Sequence, residues 1–171
     1  PPNTSGGSGF AASDFNTVGY PDILITSIGL DLLFRNNGNG TFTDISRAAG
    51  WSSKVAWHTG AAFGDYNGDG KLDFYVAGYV DLKALNFDAP APVCRYRAIA
   101  GFCGPMGLKG EADILYRNNG DGTFTDVPEN AGVTDQGLYH SFPVLFDDLT
   151  HDGKSDSFFH NGSTPHYLYL N

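Results

Sequence analysis

Short apolar runs closed by polar turns set the rhythm of this chain. Ile23-Leu24-Ile25, Phe74-Tyr75-Val76-Ala77 and the weaker Ser157-Phe158-Phe159 each follow a cluster rich in Asp and Gly. Gly60-Ala61-Ala62-Phe63-Gly64 and Phe142-Pro143-Val144-Leu145-Phe146 each precede one. Apolar and aromatic stretches of this length, bounded by turn formers, predict strands. Helical periodicity is nearly absent: Asp44 to Ala49 and Glu129 to Ala131 each predict one short helical turn at most.

A hairpin signal travels with these runs. Leu33-Phe34-Arg35-Asn36-Asn37-Gly38-Asn39-Gly40-Thr41-Phe42-Thr43-Asp44 recurs as Leu115-Tyr116-Arg117-Asn118-Asn119-Gly120-Asp121-Gly122-Thr123-Phe124-Thr125-Asp126. A third start stands at Leu168-Tyr169-Leu170-Asn171. Asn-Gly and Asp-Gly suit the positive φ of tight hairpin turns, so Phe34, Phe42, Tyr116 and Phe124 fall on flanking strands. No helix pattern follows the glycines, which argues against a phosphate-binding loop.

The polar clusters repeat too. Asp65-Tyr66-Asn67-Gly68-Asp69-Gly70-Lys71-Leu72-Asp73 returns as Asp148-Leu149-Thr150-His151-Asp152-Gly153-Lys154-Ser155-Asp156. A damaged copy runs from Asp14 to Asp22, with Val18 at the central acidic position. Oxygen side chains at positions 1, 3, 5 and 9, with Gly at 6, suit a hard cation such as Ca²⁺, which takes six to eight oxygen ligands at roughly 2.3–2.6 Å. The competing reading is an Asx-rich turn without metal.

Each unit thus reads as strand, ion loop, strand, connection, strand, Gly turn, strand. The loops begin at residues 14, 65 and 148, and the wider second gap predicts an insertion over 81–112, expected as a long loop. Four-stranded units in tandem predict an all-β chain of β-propeller-type blades over roughly 10–44, 57–126 and 139–171, one repeat-built module. Three ion loops are too few for an ordinary closed ring, and both ends read as half-blades. Either the rest of a longer chain or neighbouring copies would complete them, the latter head to tail as a filament.

Composition narrows the partners. The 171 residues carry a formal net charge of −9, which argues against nucleic acid and anionic membrane. No apolar run approaches a membrane span and no leader peptide opens the sequence, as expected of a processed chain or an excised piece. Cys94 and Cys103 can form a disulfide in an oxidising compartment; free thiols and zinc are the alternatives, though no second Cys/His pair at ligand spacing accompanies them.

Together these signatures resemble the FG-GAP/VCBS repeat of integrin-α-like propellers, with Phe63-Gly64 preceding Asp65 as the "FG" element. Cys94-Arg95-Tyr96-Arg97, Phe102-Cys103-Gly104-Pro105-Met106-Gly107-Leu108-Lys109-Gly110 and the hairpin after Asp113 resemble bacterial secreted proteins of the cartilage-acidic-protein type, which add an ASPIC/UnbV module. The likeness covers roughly 10–171, and nothing matches that module itself. It implies an extracellular, calcium-bound, adhesive or structural protein. Carried over, the calcium ligands are Asp65, Asn67, Asp69 and Asp73 with the Lys71 carbonyl, and Asp148, Thr150, Asp152 and Asp156 with the Lys154 carbonyl. The hydroxyl of Thr150 is a weaker ligand, and Val18 cannot coordinate, so the sites are graded.

Catalysis has little to stand on. No Gly-x-Ser-x-Gly elbow or His-Glu-x-x-His helix occurs. His58 and His140 share an aromatic-His-hydroxyl setting, which reads as a repeated structural histidine. Sequons at Asn3 in a polar terminus, Asn39 at a hairpin tip and Asn161 in a Gly/Ser turn make glycans an expectation. The functional expectation is a non-catalytic, calcium-stabilised adhesion or scaffolding module. The alternative is a carbohydrate-binding or carbohydrate-active domain using Tyr79, Tyr96 or Trp51, with blade core as the competing role for those aromatics.

Overall fold

The computed structural model describes residues 6–51, 55–85, 93–105, 107–127, 139–162 and 165–171. Strands β1 (Gly6–Ser13), β2 (Asp22–Gly29), β3 (Leu32–Asn36) and β4 (Phe42–Asp44) pair antiparallel in chain order. The second unit begins with β5 (Ala56–Gly64) and β6 (Asp73–Gly78), then sets aside an excursion, β7 (Val93–Tyr96) and β8 (Ile99–Phe102). It resumes with β9 (Ile114–Asn118) and β10 (Phe124–Asp126). The third unit holds β11 (Ser141–Asp147), β12 (Asp156–Asn161) and β13 (Tyr167–Tyr169). These are propeller-type blades. The first is a full set of four strands rather than a half, because the Gly-rich segment Gly6–Ser13 supplies its first strand.

First strands lie side by side: β5 packs against both β1 and β11. The approach is close enough to require glycine. A Cβ on Gly9 would stand 2.3 Å from the Thr59 carbonyl oxygen, and one on Gly64 would stand 2.3 Å from Cγ of Phe146. At one corner the blades fuse, Ile28 pairing with Trp57 and Gly29 with Ala56.

All six residues of β6 are buried, because both its faces are covered by neighbouring blades. Phe74 and Val76 join Phe15, Leu24, Leu33, Trp51, Tyr116 and Phe124 in one core. Tyr75 faces the other way, joining Leu115, Val127 and Phe159. Alternation along a single strand therefore glues three blades, and truncating Phe74 to Ala would cost about 3–5 kcal/mol.

The insertion is more ordered than a long loop. Asp81 caps a single 3-10 turn (Leu82–Ala84), accepting from the Lys83 N–H at 3.0 Å. Its ends are clamped where the Asp81 N–H donates to the Lys109 carbonyl at 2.9 Å and the Lys109 ammonium meets the Asp81 carboxylate. Between them β7 and β8 pair as an isolated two-stranded sheet, with Cys94 and Cys103 joined by a disulfide. Asp44–Ala49 contributes one helical turn, the Ala49 N–H donating to the Ile45 carbonyl at 2.8 Å; Glu129 to Ala131 lie outside the described residues. Among the described residues no helix is long and apolar enough to cross a membrane.

Candidate metal loops

The loop from Asp65 to Asp73 joins β5 to β6. Its turn is built by side-chain oxygens: the Asp65 carboxylate accepts the backbone N–H groups of Asp69 (3.1 Å) and Gly70 (2.8 Å). The amide oxygen of Asn67 accepts from that same Asp69 N–H at 3.0 Å, and Asp69 accepts from the Lys71 N–H at 2.9 Å. Gly68 and Gly70 take φ of +71° and +82°, which an L side chain adopts only at a cost.

The same scaffold is written twice more. Asp148 accepts from Asp152 and Gly153 at 3.0 and 2.9 Å, and Asp152 accepts from Lys154 at 3.0 Å. In the damaged copy Asp14 accepts from Val18 and Gly19 at 3.0 and 2.7 Å. The loop between Asp14 and Asp22 keeps its shape although Val18, 56% exposed, offers no oxygen. Asp14 at position 1, with the Asn16 amide oxygen at position 3 accepting the same Val18 N–H at 3.3 Å, folds the turn without any oxygen at position 5.

The aspartates at position 9 do something different. Asp22, Asp73 and Asp156 are at most 1% exposed, and each accepts a backbone N–H from an asparagine at the end of the third strand of its blade or, for Asn171, two residues beyond it. Those bonds run from Asn36 to Asp22 (2.8 Å), from Asn118 to Asp73 (2.7 Å) and from Asn171 to Asp156 (3.0 Å). The second oxygen of Asp73 accepts from Tyr66 N–H, and that of Asp156 accepts from Leu149 and Thr150 N–H. Position 9 thus ties ion loop to hairpin.

Electrostatics follow from those settings. Burial pushes the Asp73 carboxyl up to about 6, against the pull of the Asn118 and Tyr66 N–H groups, with the nearby Asp69 and Asp65 charges adding to the rise. Burial raises Asp22 as well, and among the described residues one of its oxygens finds no hydrogen-bond partner. Asp156 goes the other way, held down first by the Asn171 N–H and further by the Thr150 and Leu149 N–H groups.

The donor set suits a hard cation: every side-chain group at positions 1, 3, 5 and 9 of the loops starting at Asp65 and Asp148 offers oxygen. In the first of them two oxygens already face a common N–H. Asp69, however, holds the Lys71 ammonium at 2.9 Å, and Asp73 is turned inward. Among the described residues no three Asp, Glu, His or Cys side chains gather at one point. The turn is formed in advance; the full coordination shell is not.

A second set of repeated residues links the blades, and sequence reading missed it. The Asp31 carboxylate accepts the Ser27 N–H at 2.8 Å and, through its other oxygen, pairs with Nδ1 of His58 on the next blade. Asp113 accepts the Gly78 N–H at 2.7 Å and the Ser141 hydroxyl at 2.9 Å. Hydroxyls run alongside: Ser8 donates to the His58 carbonyl and Thr59 to the Ser141 carbonyl, the latter at 2.6 Å. His58 pairs across its blade with Gly78, and Ser141 with Asn161, so the counterpart of His58 is Ser141 rather than His140. Asp31 and Asp113, each two residues before a buried leucine of the repeated hairpin, were the available signal.

The remaining candidates separate cleanly. Asn161 is 1% exposed, with its amide donating to the Pro165 carbonyl (2.7 Å) and accepting from the Ser141 hydroxyl, so it has no room for a glycan. Its sequon looked like a surface turn because the polar residues around it hide a strand position. Asn39 is exposed at a hairpin tip; Asn3 lies outside the described residues. Trp51 is core, donating its indole N–H to the Asp31 carbonyl at 3.1 Å, and Tyr79 packs among Trp57, His140 and Phe142. Tyr96 stands 76% exposed.

Residues 3–76 match the model of the FG-GAP-like repeat. Among curated proteins the chain is 30% identical to cartilage acidic protein 1 of Mus musculus over 172 aligned residues, 80% of this chain and 26% of that protein. The Homo sapiens protein of that name gives the same identity and coverage, and the Xenopus tropicalis one is 27% identical over 62% of this chain and 21% of its own length. The chain spans about a quarter of the length of the relatives it matches. With the loop and its position-9 tie written three times and the hairpin after it completed twice, the chain is built of repeats similar to the FG-GAP-like repeat that residues 3–76 match.

Proposed function

We propose that this chain is a non-catalytic, calcium-binding propeller segment serving extracellular adhesion or scaffolding. The observation that carries the reading is the twofold occurrence of a preformed oxygen-lined turn, at Asp65 and at Asp148, on blades tied together by side-chain bonds. Calcium is held by Asp65, Asn67, Asp69 and the Lys71 carbonyl, with Asp73 behind them, and correspondingly by Asp148, Thr150, Asp152, Lys154 and Asp156. Because Thr150 offers a hydroxyl where Asn67 offers an amide oxygen, the second site is the weaker one. Outside cells, millimolar calcium fills sites of such modest design.

Nothing in the buried polar set supports turnover. Asp31 and His58 make a pair enclosed between blades, and the polar groups that surround it serve the interface. The finer reading concerns what covers β13, whose counterparts β3 and β9 are flanked by β4 and β10: the remaining blades of a longer chain, or a second copy in head-to-tail self-association.

Calorimetric titration of calcium into the EDTA-treated chain tests the central claim. Two sites of unequal affinity are expected, together with a rise in melting temperature. A titration without heat and an unchanged melt in calcium would overturn it, and sedimentation velocity over a range of concentrations decides the self-association.

A further inference from the structure

The hairpin Val93–Phe102 has no counterpart in the other blades and serves no blade core. It is a sheet of two strands that no other described strand extends, so its outer edges present backbone N–H and C=O groups open to a further strand. Natural edges of this kind are normally blunted or covered. Here Val93, Tyr96 and Ile99 are 71%, 76% and 74% exposed. Tyr96 and Ile99 face each other across the strands on the face that carries Cys94; Val93 and Arg95 take the opposite face.

Charge gives the patch its sign. From Val93 to Cys103 there are two arginines and no acid, in a chain with 19 acidic and 10 basic residues. Neither guanidinium meets a carboxylate among the described residues: Arg95 donates to the Ala98 carbonyl at 3.2 Å, and Arg97 lies 5.7 Å from the centre of the Tyr96 ring. The turn itself is unusual. Arg97 and Ala98 take φ of +48° and +67°, where Asn-Gly would sit without strain. The chain accepts that conformation with an arginine at the tip, and the Cys94–Cys103 disulfide holds the strands together below it.

We propose that this hairpin is a docking edge for an acidic partner strand: an extended segment alternating carboxylates with apolar side chains. Added along an open edge, such a strand sets its carboxylates against Arg95 and Arg97 and its apolar side chains against Tyr96 and Ile99. Arginine and tyrosine are the side chains that dominate such interfaces. Like charges oppose pairing of the hairpin with its own copy, so the occupant is a different, acidic segment. A sulfated glycan would answer the arginines but leave the exposed apolar residues unused.

The probe is a fluorescein-labelled peptide of alternating Glu and Val, followed by anisotropy against the intact disulfide-bonded chain. Saturable binding is expected, weaker at 300 mM than at 50 mM salt and unchanged by EDTA, which separates this site from the calcium reading. The double variant Arg95→Glu/Arg97→Glu should weaken binding at least tenfold, and Tyr96→Ala/Ile99→Ala at least threefold, with the blade melting temperature retained. The idea is overturned if the peptide does not bind, if a Lys-Val peptide binds as well, if the glutamate variant is unimpaired, or if heparin binds the hairpin and the peptide does not.

Discussion

Asp73 on β6 accepts the backbone N–H of Asn118 on β9 at 2.7 Å, across 45 residues of chain that include the whole insertion. With its second oxygen it accepts Tyr66 N–H in its own loop. One carboxylate therefore fixes the Asp65–Asp73 loop and a hairpin to each other.

Replacing Asp73 by Ala strands two buried or half-buried N–H donors, at about 1–3 kcal/mol for each buried group left unsatisfied. Thermal denaturation should show a loss of several degrees in EDTA as well as in calcium. A loss confined to calcium would mean that Asp73 acts only through the ion.

Asp65→Asn separates ion from turn. Asparagine can keep one acceptor for the N–H groups of Asp69 and Gly70 but removes a charge. The EDTA melt should stay near wild type, while the calcium-induced increase shrinks, since a bound ligand at a hundredfold its Kd adds about 2.7 kcal/mol. Asp148→Asn should behave alike with a smaller change. Equal calcium responses in wild type and both variants would remove these loops from the binding reaction.

Asp22 supplies a pH test in a loop that holds no complete ligand set. Burial raises its folded-state pKa above the unfolded value, so in the window just above that unfolded value the folded state binds the proton more tightly. Its contribution to stability is fully present below the unfolded pKa and falls as pH rises through the folded one. Asp22→Asn should therefore gain on wild type as pH is raised from 4 to 7, read as the difference in melting temperature. A difference that stays flat, or shrinks, contradicts a carboxylate whose burial outweighs its hydrogen bonds.

The disulfide closes a short loop, for which chain entropy suggests roughly 2–3 kcal/mol of local stabilisation. Because β7 and β8 pair with no blade, Cys94→Ser/Cys103→Ser should leave the main melting transition within a few degrees. Amide exchange should rise sharply over 93–102 and little elsewhere. Collapse of the main transition would show that the hairpin supports the blades.

The local code was legible wherever one short segment holds all its own partners. Asn37-Gly38 and Asn119-Gly120 announced hairpins because turn geometry is set within four residues, and the spacing of Asp65 to Asp73 announced a loop for the same reason. Ties across blades were not legible. Asp31 bonds a histidine 27 residues on, while Asp113 bonds a serine 28 residues on, so the role recurs with a different residue type. The pull of matching aromatic-His-hydroxyl triplets then misaligned His58 with His140. Arg97-Ala98 carries no turn signature, which is why the insertion read as a loop.

The division of labour within the nine-residue loop bears on its history. Position 1 folds the turn and position 9 anchors the hairpin, both through backbone N–H groups and both without an ion. Position 5 is thereby left free to vary: Val18 stands there in the first loop, and both the turn and the anchor are kept. The acids at positions 1 and 9 therefore answer to the architecture of the blade, and the central position alone is spare, free to carry an oxygen in one loop and a valine in another.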